Sequence, residues 1–193
     1  DGIYLGAARQ PYCRDVIIRD VVCHDNHRQG ISVIGAQNLL VENCVLSGTK
    51  GTAPEAGIDL EPNGPDERLV ECVIRNCRIE DNAGPGILLY LKPLSAESEH
   101  LSVRFEGCLV RGGASAGIAV GAIGDDGPRG LVEFRNCTVE GPAEEGLRVF
   151  DKSVEAARLR FEACNWRDAG GIPILVQRRS AETTVKPGGI DFV

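Results

Sequence analysis

Asp59 and Glu61 stand two residues apart in the stretch Gly57-Ile58-Asp59-Leu60-Glu61-Pro62-Asn63. On an extended strand such residues share a face and lie about 6.5–7 Å apart. That overlaps the lower end of the roughly 6.5–9.5 Å separation at which two carboxyls flank a water in inverting glycosidases. Like charges this close repel, so one group should keep its proton near neutrality and serve as an acid. Tyr90 and His27 are candidate further proton carriers, and Lys92 and Arg28 are cations that would neutralise a substrate carboxylate. Asn63 closes the same motif as a polar substrate contact. Phe150, like Tyr90, is a candidate platform for stacking a sugar ring. The same residues also suit a plainer role, with Asp59 and Glu61 as solvated carboxylates and His24 and His27 as polar turn residues.

The element that positions them is a repeat. Gly followed by Ile or Leu recurs at Gly2, Gly30, Gly57, Gly86, Gly117, Gly146 and Gly171, with spacings of 28, 27, 29, 31, 29 and 25 residues. A near-constant period of this size marks a solenoid, in which equivalent positions stack into columns. A second pattern follows at fixed phase, as in Leu39-x-Val41-x-Asn43-Cys44-x-Leu46 and Val132-x-Phe134-x-Asn136-Cys137-x-Val139. Apolar residues alternate with polar ones, which is the signature of a strand with one buried face. The phase breaks at Asp20, Asn43, Asn76, Gly107, Asn136 and Ala163. Most of these residues tolerate the left-handed conformation that a sharp bend requires. Each repeat thus predicts three short strands and no long helix. The fold class is all-β, a single-stranded right-handed parallel β-helix of about six to seven coils.

The register places Val21, Cys44, Cys77, Cys108, Cys137 and Cys164 in one inward column, where free cysteine packs as a small hydrophobe. No Cys-x-x-Cys pair occurs, which argues against zinc. Asn136-Cys137-Thr138 matches a glycosylation sequon but falls on a bend of the repeat. The outward positions of the strand after each glycine run Tyr4, Ser32, Asp59, Leu88, Ala119, Arg148, Pro173 and Gly6, Ile34, Glu61, Tyr90, Gly121, Phe150, Leu175. Only the third rung carries two acids. A walled groove over Asp59 and Glu61 would mark an enzyme; a flat or covered sheet would mark a structural module.

The solenoid should occupy residues 1–176, with residues 177–193 as a tail or capping segment. The chain has no Met and opens on a strand, so an N-terminal cap is expected upstream. The net charge of −7, without a basic patch, argues against nucleic acid. No apolar run reaches membrane-span length. Outward Arg19, Glu42, Arg75, Arg104, Glu133, Arg135, Arg160 and Glu162 argue for a solvated monomer. Gly124-Asp125-Asp126-Gly127 reads as a turn, with calcium as its alternative; no other cofactor is indicated.

From Asp1 to about Val176 these repeats resemble those of the pectate-lyase-like superfamily. The resemblance implies action on, or binding to, acidic polysaccharides, outside the cytoplasm or in the periplasm. Ala56-Gly57-Ile58-Asp59-Leu60-Glu61-Pro62 is similar to the strand motif of mannuronan C5-epimerases, with Asp59 at the family's aspartate, Glu61 in place of its histidine and Ala56 in place of its tyrosine. Three readings follow: a glycoside hydrolase, a uronate lyase or epimerase, and a non-catalytic glycan-binding or structural module of a larger surface protein.

Overall fold

The computed structural model describes residues 1–6, 10–179 and 185–193. The chain winds through β1 (Ile3–Leu5), β2 (Cys13–Arg19) and β3 (Val22–His24), then β4 (Ile31–Val33), β5 (Ala36–Glu42) and β6 (Val45–Ser47). The third coil holds β7 (Ile58–Leu60), β8 (Leu69–Arg75) and β9 (Arg78–Glu80); the fourth holds β10 (Ile87–Tyr90), β11 (Leu101–Glu106) and β12 (Leu109–Arg111). The fifth holds β13 (Ile118–Ile123), β14 (Gly130–Arg135) and β15 (Thr138–Glu140); the sixth holds β16 (Leu147–Lys152), β17 (Arg158–Glu162) and β18 (Asn165–Arg167). A partial seventh coil adds β19 (Ile174–Gln177) and β20 (Ile190–Phe192). No helix occurs among the described residues.

Every third strand pairs with its counterpart in the next coil, in parallel. The first sheet runs β1-β4-β7-β10-β13-β16-β19, the second β2-β5-β8-β11-β14-β17-β20, and the third β3-β6-β9-β12-β15-β18. This is the three-strand coil expected from the repeat. The bends fall where the sequence places them: φ is 57° at Asp20, 55° at Asn43, 54° at Asn76, 61° at Gly107, 51° at Asn136 and 50° at Ala163. A second left-handed column follows the third strand, at Asp25, Gly48, Asp81, Gly112, Gly141 and Asp168. Ala163 is the one residue of the first column that has neither glycine's freedom nor a side chain able to bond locally.

One rung departs from the sequence register. Leu147 pairs with Ile174 and Arg148 with Leu175, so Pro173 takes the glycine column and Gly171-Ile172 lies in the preceding corner. The Leu147 amide accordingly donates to the Pro173 carbonyl at 2.9 Å, as Ile118 does to Gly146 at 3.0 Å. The reason is corner length. From Cys108 to Gly117, from Cys137 to Gly146 and from Cys164 to Pro173 the chain covers the same number of residues. Ile172 is left 57% exposed. Beyond the predicted solenoid limit, β20 extends the second sheet in register with β17. Part of that tail, residues 180–184, lies outside the described residues.

The core is a set of stacked columns. Phe105, Phe134, Phe161 and Phe192 stack with ring centroids 4.8, 4.9 and 5.3 Å apart, and Trp166 meets Phe161 edge-on at 5.9 Å. All eight cysteines are free. Cys44, Cys77, Cys108 and Cys137 are buried at the bend, and Cys164 is half-buried. Each thiol of this column faces two backbone carbonyls, at 3.8 and 3.3 Å for Cys44 and 3.4 and 3.5 Å for Cys164. The column therefore fills the corner and offers weak donors to carbonyls beside the bend. Outside, charges pair along the stack: Glu42 bridges Arg19 at 2.7 Å and Arg75 at 2.6 Å, and Arg111 pairs with Glu140 at 3.2 Å.

Candidate functional site

Asp59 sits on β7 between inward Ile58 and Leu60, in register with Ser32 on β4 and Leu88 on β10. Alternation turns its side chain away from the solenoid core, yet it is 0% exposed. Gln29, also fully buried, donates from Nε2 to Asp59 Oδ2 at 2.6 Å and accepts the Ala56 amide at 2.9 Å through Oε1. Glu61, half-buried, is held 3.5 Å from Arg28, which lies 3.9 Å from Asp1. The open outward position expected for Asp59 is thus corrected. Gln29, Arg28 and Glu61 close around it, and substrate cannot touch its carboxyl in this conformation.

Burial, then the neighbouring Glu61 carboxylate, pushes the Asp59 carboxyl up to about 8. This is the proton-holding acid anticipated from two close carboxyls, with desolvation as the larger cause. Its Oδ1 accepts no hydrogen bond from the described residues. A neutral Asp59 resolves that vacancy by donating O–H toward Glu61, since a protonated carboxyl is a donor. The arrangement knits the entry loop of the second coil to the third. Within it the Asp59 carboxyl is shielded from solvent.

The other predicted residues divide between this knot and a separate groove. His27 is exposed and shares a hydrogen bond with the Thr52 hydroxyl at 2.9 Å, while its carbonyl accepts the Thr52 amide at 2.9 Å. Asn63 is exposed in a turn where the Glu67 carboxylate accepts its backbone N–H and that of Gly64. Tyr90, Lys92 and Phe150 instead line a groove of about 880 Å³. Asp59, Glu61, Arg28, His27 and Asn63 do not line it.

The groove's floor comes from the first sheet. Tyr90, Gly121 and Phe150 are in register on β10, β13 and β16. Successive strands lie about 4.8 Å apart, so the two aromatics are separated by about 10 Å across Gly121. A Cβ at Gly121 would fall 2.6 Å from the Phe150 ring, so the missing side chain lets that ring lie over the strand. Phe150 is 9% exposed, with the Arg179 guanidinium 5.3 Å from its ring centre. It is not the open platform expected from the sequence; Arg179 already covers it.

The walls carry Lys92, Ser95, Asp125, Asp126, Asp151 and Arg179. Asp125 Oδ1 accepts the Ser153 hydroxyl at 2.5 Å, and Asp151 Oδ1 accepts the Arg179 amide at 2.8 Å. Gly124-Asp125-Asp126-Gly127 forms a turn closed by the Gly127 amide on the Gly124 carbonyl at 3.0 Å. Among the described residues no three His, Cys, Asp or Glu side chains gather where they could hold a metal ion. Sequence reasoning missed Asp125, Asp126, Asp151 and Arg179 as groove residues. The available signal was the column Tyr90, Gly121, Phe150, in which a glycine between two aromatics opens a gap above the sheet.

Three parallel sheets wound from one chain, with a groove over the first, define a parallel β-solenoid with a surface cleft. Residues 1–125 match the model of the family described as right handed beta helix region, and the chain belongs to that family. The sequence matches neither a curated protein nor a solved structure.

Proposed function

We propose that this β-helix module binds a polysaccharide in the groove over β10, β13 and β16. The observation that carries the reading is the groove itself. It combines Tyr90, a sugar-stacking ring with a hydroxyl, with carboxylates and cations spaced around about 880 Å³. Saccharide sites combine an apolar face for the pyranose ring with polar groups that fix its hydroxyls. The reading takes the chain as a monomer that meets its glycan outside the cytoplasm. Titration calorimetry with oligosaccharides tests it: Tyr90→Ala should weaken binding about 3- to 10-fold, the range of an aromatic contact worth about 0.5–1.5 kcal/mol. Unchanged affinity in Tyr90→Ala would remove the groove from consideration.

A second reading is turnover in the same groove, favoured by the carboxylates of Asp125 and Asp126 on its wall. It differs in a measurable way. An enzyme releases reducing ends or unsaturated uronate products from a glycan that it binds, and a binding module releases neither. The buried Asp59 favours binding, because the acid pair expected to do chemistry lies outside the groove.

A further inference from the structure

We propose that Ser47 is a surface nucleophile, activated by His24 and Asp25, which accepts an acyl group from an activated ester. His24 on β3 and Ser47 on β6 are in register on neighbouring strands of the third sheet, and Ser47 Oγ lies 2.9 Å from His24 Nδ1. Asp25 Oδ2 lies 3.2 Å from His24 Nε2, the other nitrogen of the same ring. The carboxylate favours the tautomer with its proton on Nε2, which leaves Nδ1 to accept from the Ser47 hydroxyl. Hydroxyl, imidazole and carboxylate in this order activate a serine, whichever ring nitrogen faces which partner. A glycine makes the room: at Gly48, with a φ of 67°, a Cβ would fall 2.6 Å from Asp25 Oδ1 and 3.3 Å from His24 Cε1. On its other side Ser47 is in register with Glu80, but Arg78 holds that carboxylate at 2.9 Å, so the imidazole is the base within reach.

The His24 and Asp25 side chains are 61% and 64% exposed and Ser47 is half-buried, so a molecule in solvent can reach the hydroxyl. In the reaction Ser47 Oγ bonds to the acyl carbon while its proton passes to His24 Nδ1. The bond from that carbon to the leaving oxygen then breaks, and the imidazolium returns the proton to the departing aryloxide. The backbone amides of Asp25, Gly48 and Thr49 donate to the Ser47 carbonyl, the Glu80 carbonyl and the Asn82 side chain. They are not free to hold an oxyanion, so the leaving group must supply the driving force. The ligand class is therefore an activated acyl donor such as an aryl ester. A serine alkoxide leaves far less readily than an aryloxide, so the acyl group stays on Ser47. None of the three residues lines the groove over the first sheet, and the site is separate from it. The same corner supplies a control. His27 shares a hydrogen bond with the Thr52 hydroxyl at 2.9 Å, without a carboxylate on its second nitrogen among the described residues.

Treatment of the full chain with p-nitrophenyl acetate, followed by peptide mass spectrometry, tests the proposal. Ser47 should be acetylated ahead of Thr52 and of Ser102, an exposed serine on the second sheet. His24→Gln keeps a hydrogen-bonding side chain that cannot take the proton, and should slow acetylation of Ser47 about 100-fold, the scale of a general base. Asp25→Asn should slow it as well, and Asn tolerates the φ of 52° at that position. Both changes fall on exposed side chains, so the melting temperature should stay at the wild-type value. Acetylation of Ser47 no faster than that of Ser102, or an unchanged rate in folded His24→Gln, would overturn the proposal. Acetyl groups found on lysines alone would overturn it too.

Discussion

Replacing Asp59 by Asn should remove a specific pH dependence from the stability of the chain. Asp59 is fully buried and accepts from Gln29, and its carboxyl is raised from an ordinary 3.8 to about 8. The folded chain therefore holds a proton that the unfolded chain releases above about pH 4. Where the folded state binds more protons, stability falls as pH rises. The stabilisation is fully present below about pH 4 and is lost progressively up to about pH 8. At about 1.4 kcal/mol for each pH unit between the two values, the loss is on the order of 6 kcal/mol. Asn mimics the neutral acid, because its carbonyl can accept from Gln29 and its amide can donate to Glu61. Denaturant unfolding of both proteins across this range, followed by circular dichroism, reads the difference directly. Wild type should lose stability relative to Asp59→Asn as pH rises, and the variant should be the more stable above about pH 8. Parallel stability curves would refute a neutral Asp59. A wild type that gains stability relative to the variant with rising pH would mean that Asp59 is ionised in the fold.

Other consequences concern the scaffold. Phe134 is fully buried between Phe105 and Phe161 at 4.8 and 4.9 Å, so Phe134→Ala should cost about 3–5 kcal/mol in denaturant unfolding. Ala163, at a φ of 50° where other coils use Asp, Asn or Gly, should gain about 1 kcal/mol on replacement by Gly, read as a higher melting temperature. Burial pushes the Cys72 thiol up to about 12, and the free cysteines are buried apart from half-buried Cys13 and Cys164. A thiol reagent at mildly alkaline pH should therefore reach Cys13 first, half-buried Cys164 more slowly because its bond to the Cys137 thiol and its burial push its own thiol up, and the other six only after denaturation.

How much of this was legible in the residues follows from what alternation and spacing can report. The coil, the three sheets and the bend at Asn43, Asn76 and Asn136 were legible because each is a local consequence of side-chain period and left-handed tolerance. The cysteine column was legible because it keeps a fixed distance from the bend. The seventh rung misled because Gly171-Ile172 imitates the repeat, while corner length, the stronger constraint, selects Pro173 and Ile174. Asp59 was assigned outward, which is correct for the solenoid. Alternation cannot reveal that Gln29, from the preceding coil, closes over it. The groove lay further from view, since Lys92, Asp126 and Arg179 are distant in sequence and meet only when coils four to seven stack.

The proposed groove meets its glycan at Tyr90 and not over Asp59. One calorimetric comparison decides it: a bound oligosaccharide titrated into wild type, Tyr90→Ala and Asp59→Asn at neutral pH. Tyr90→Ala should lose about 3- to 10-fold in affinity, and Asp59→Asn should keep wild-type affinity. Binding that survives in Tyr90→Ala and fails in a folded Asp59→Asn would contradict it.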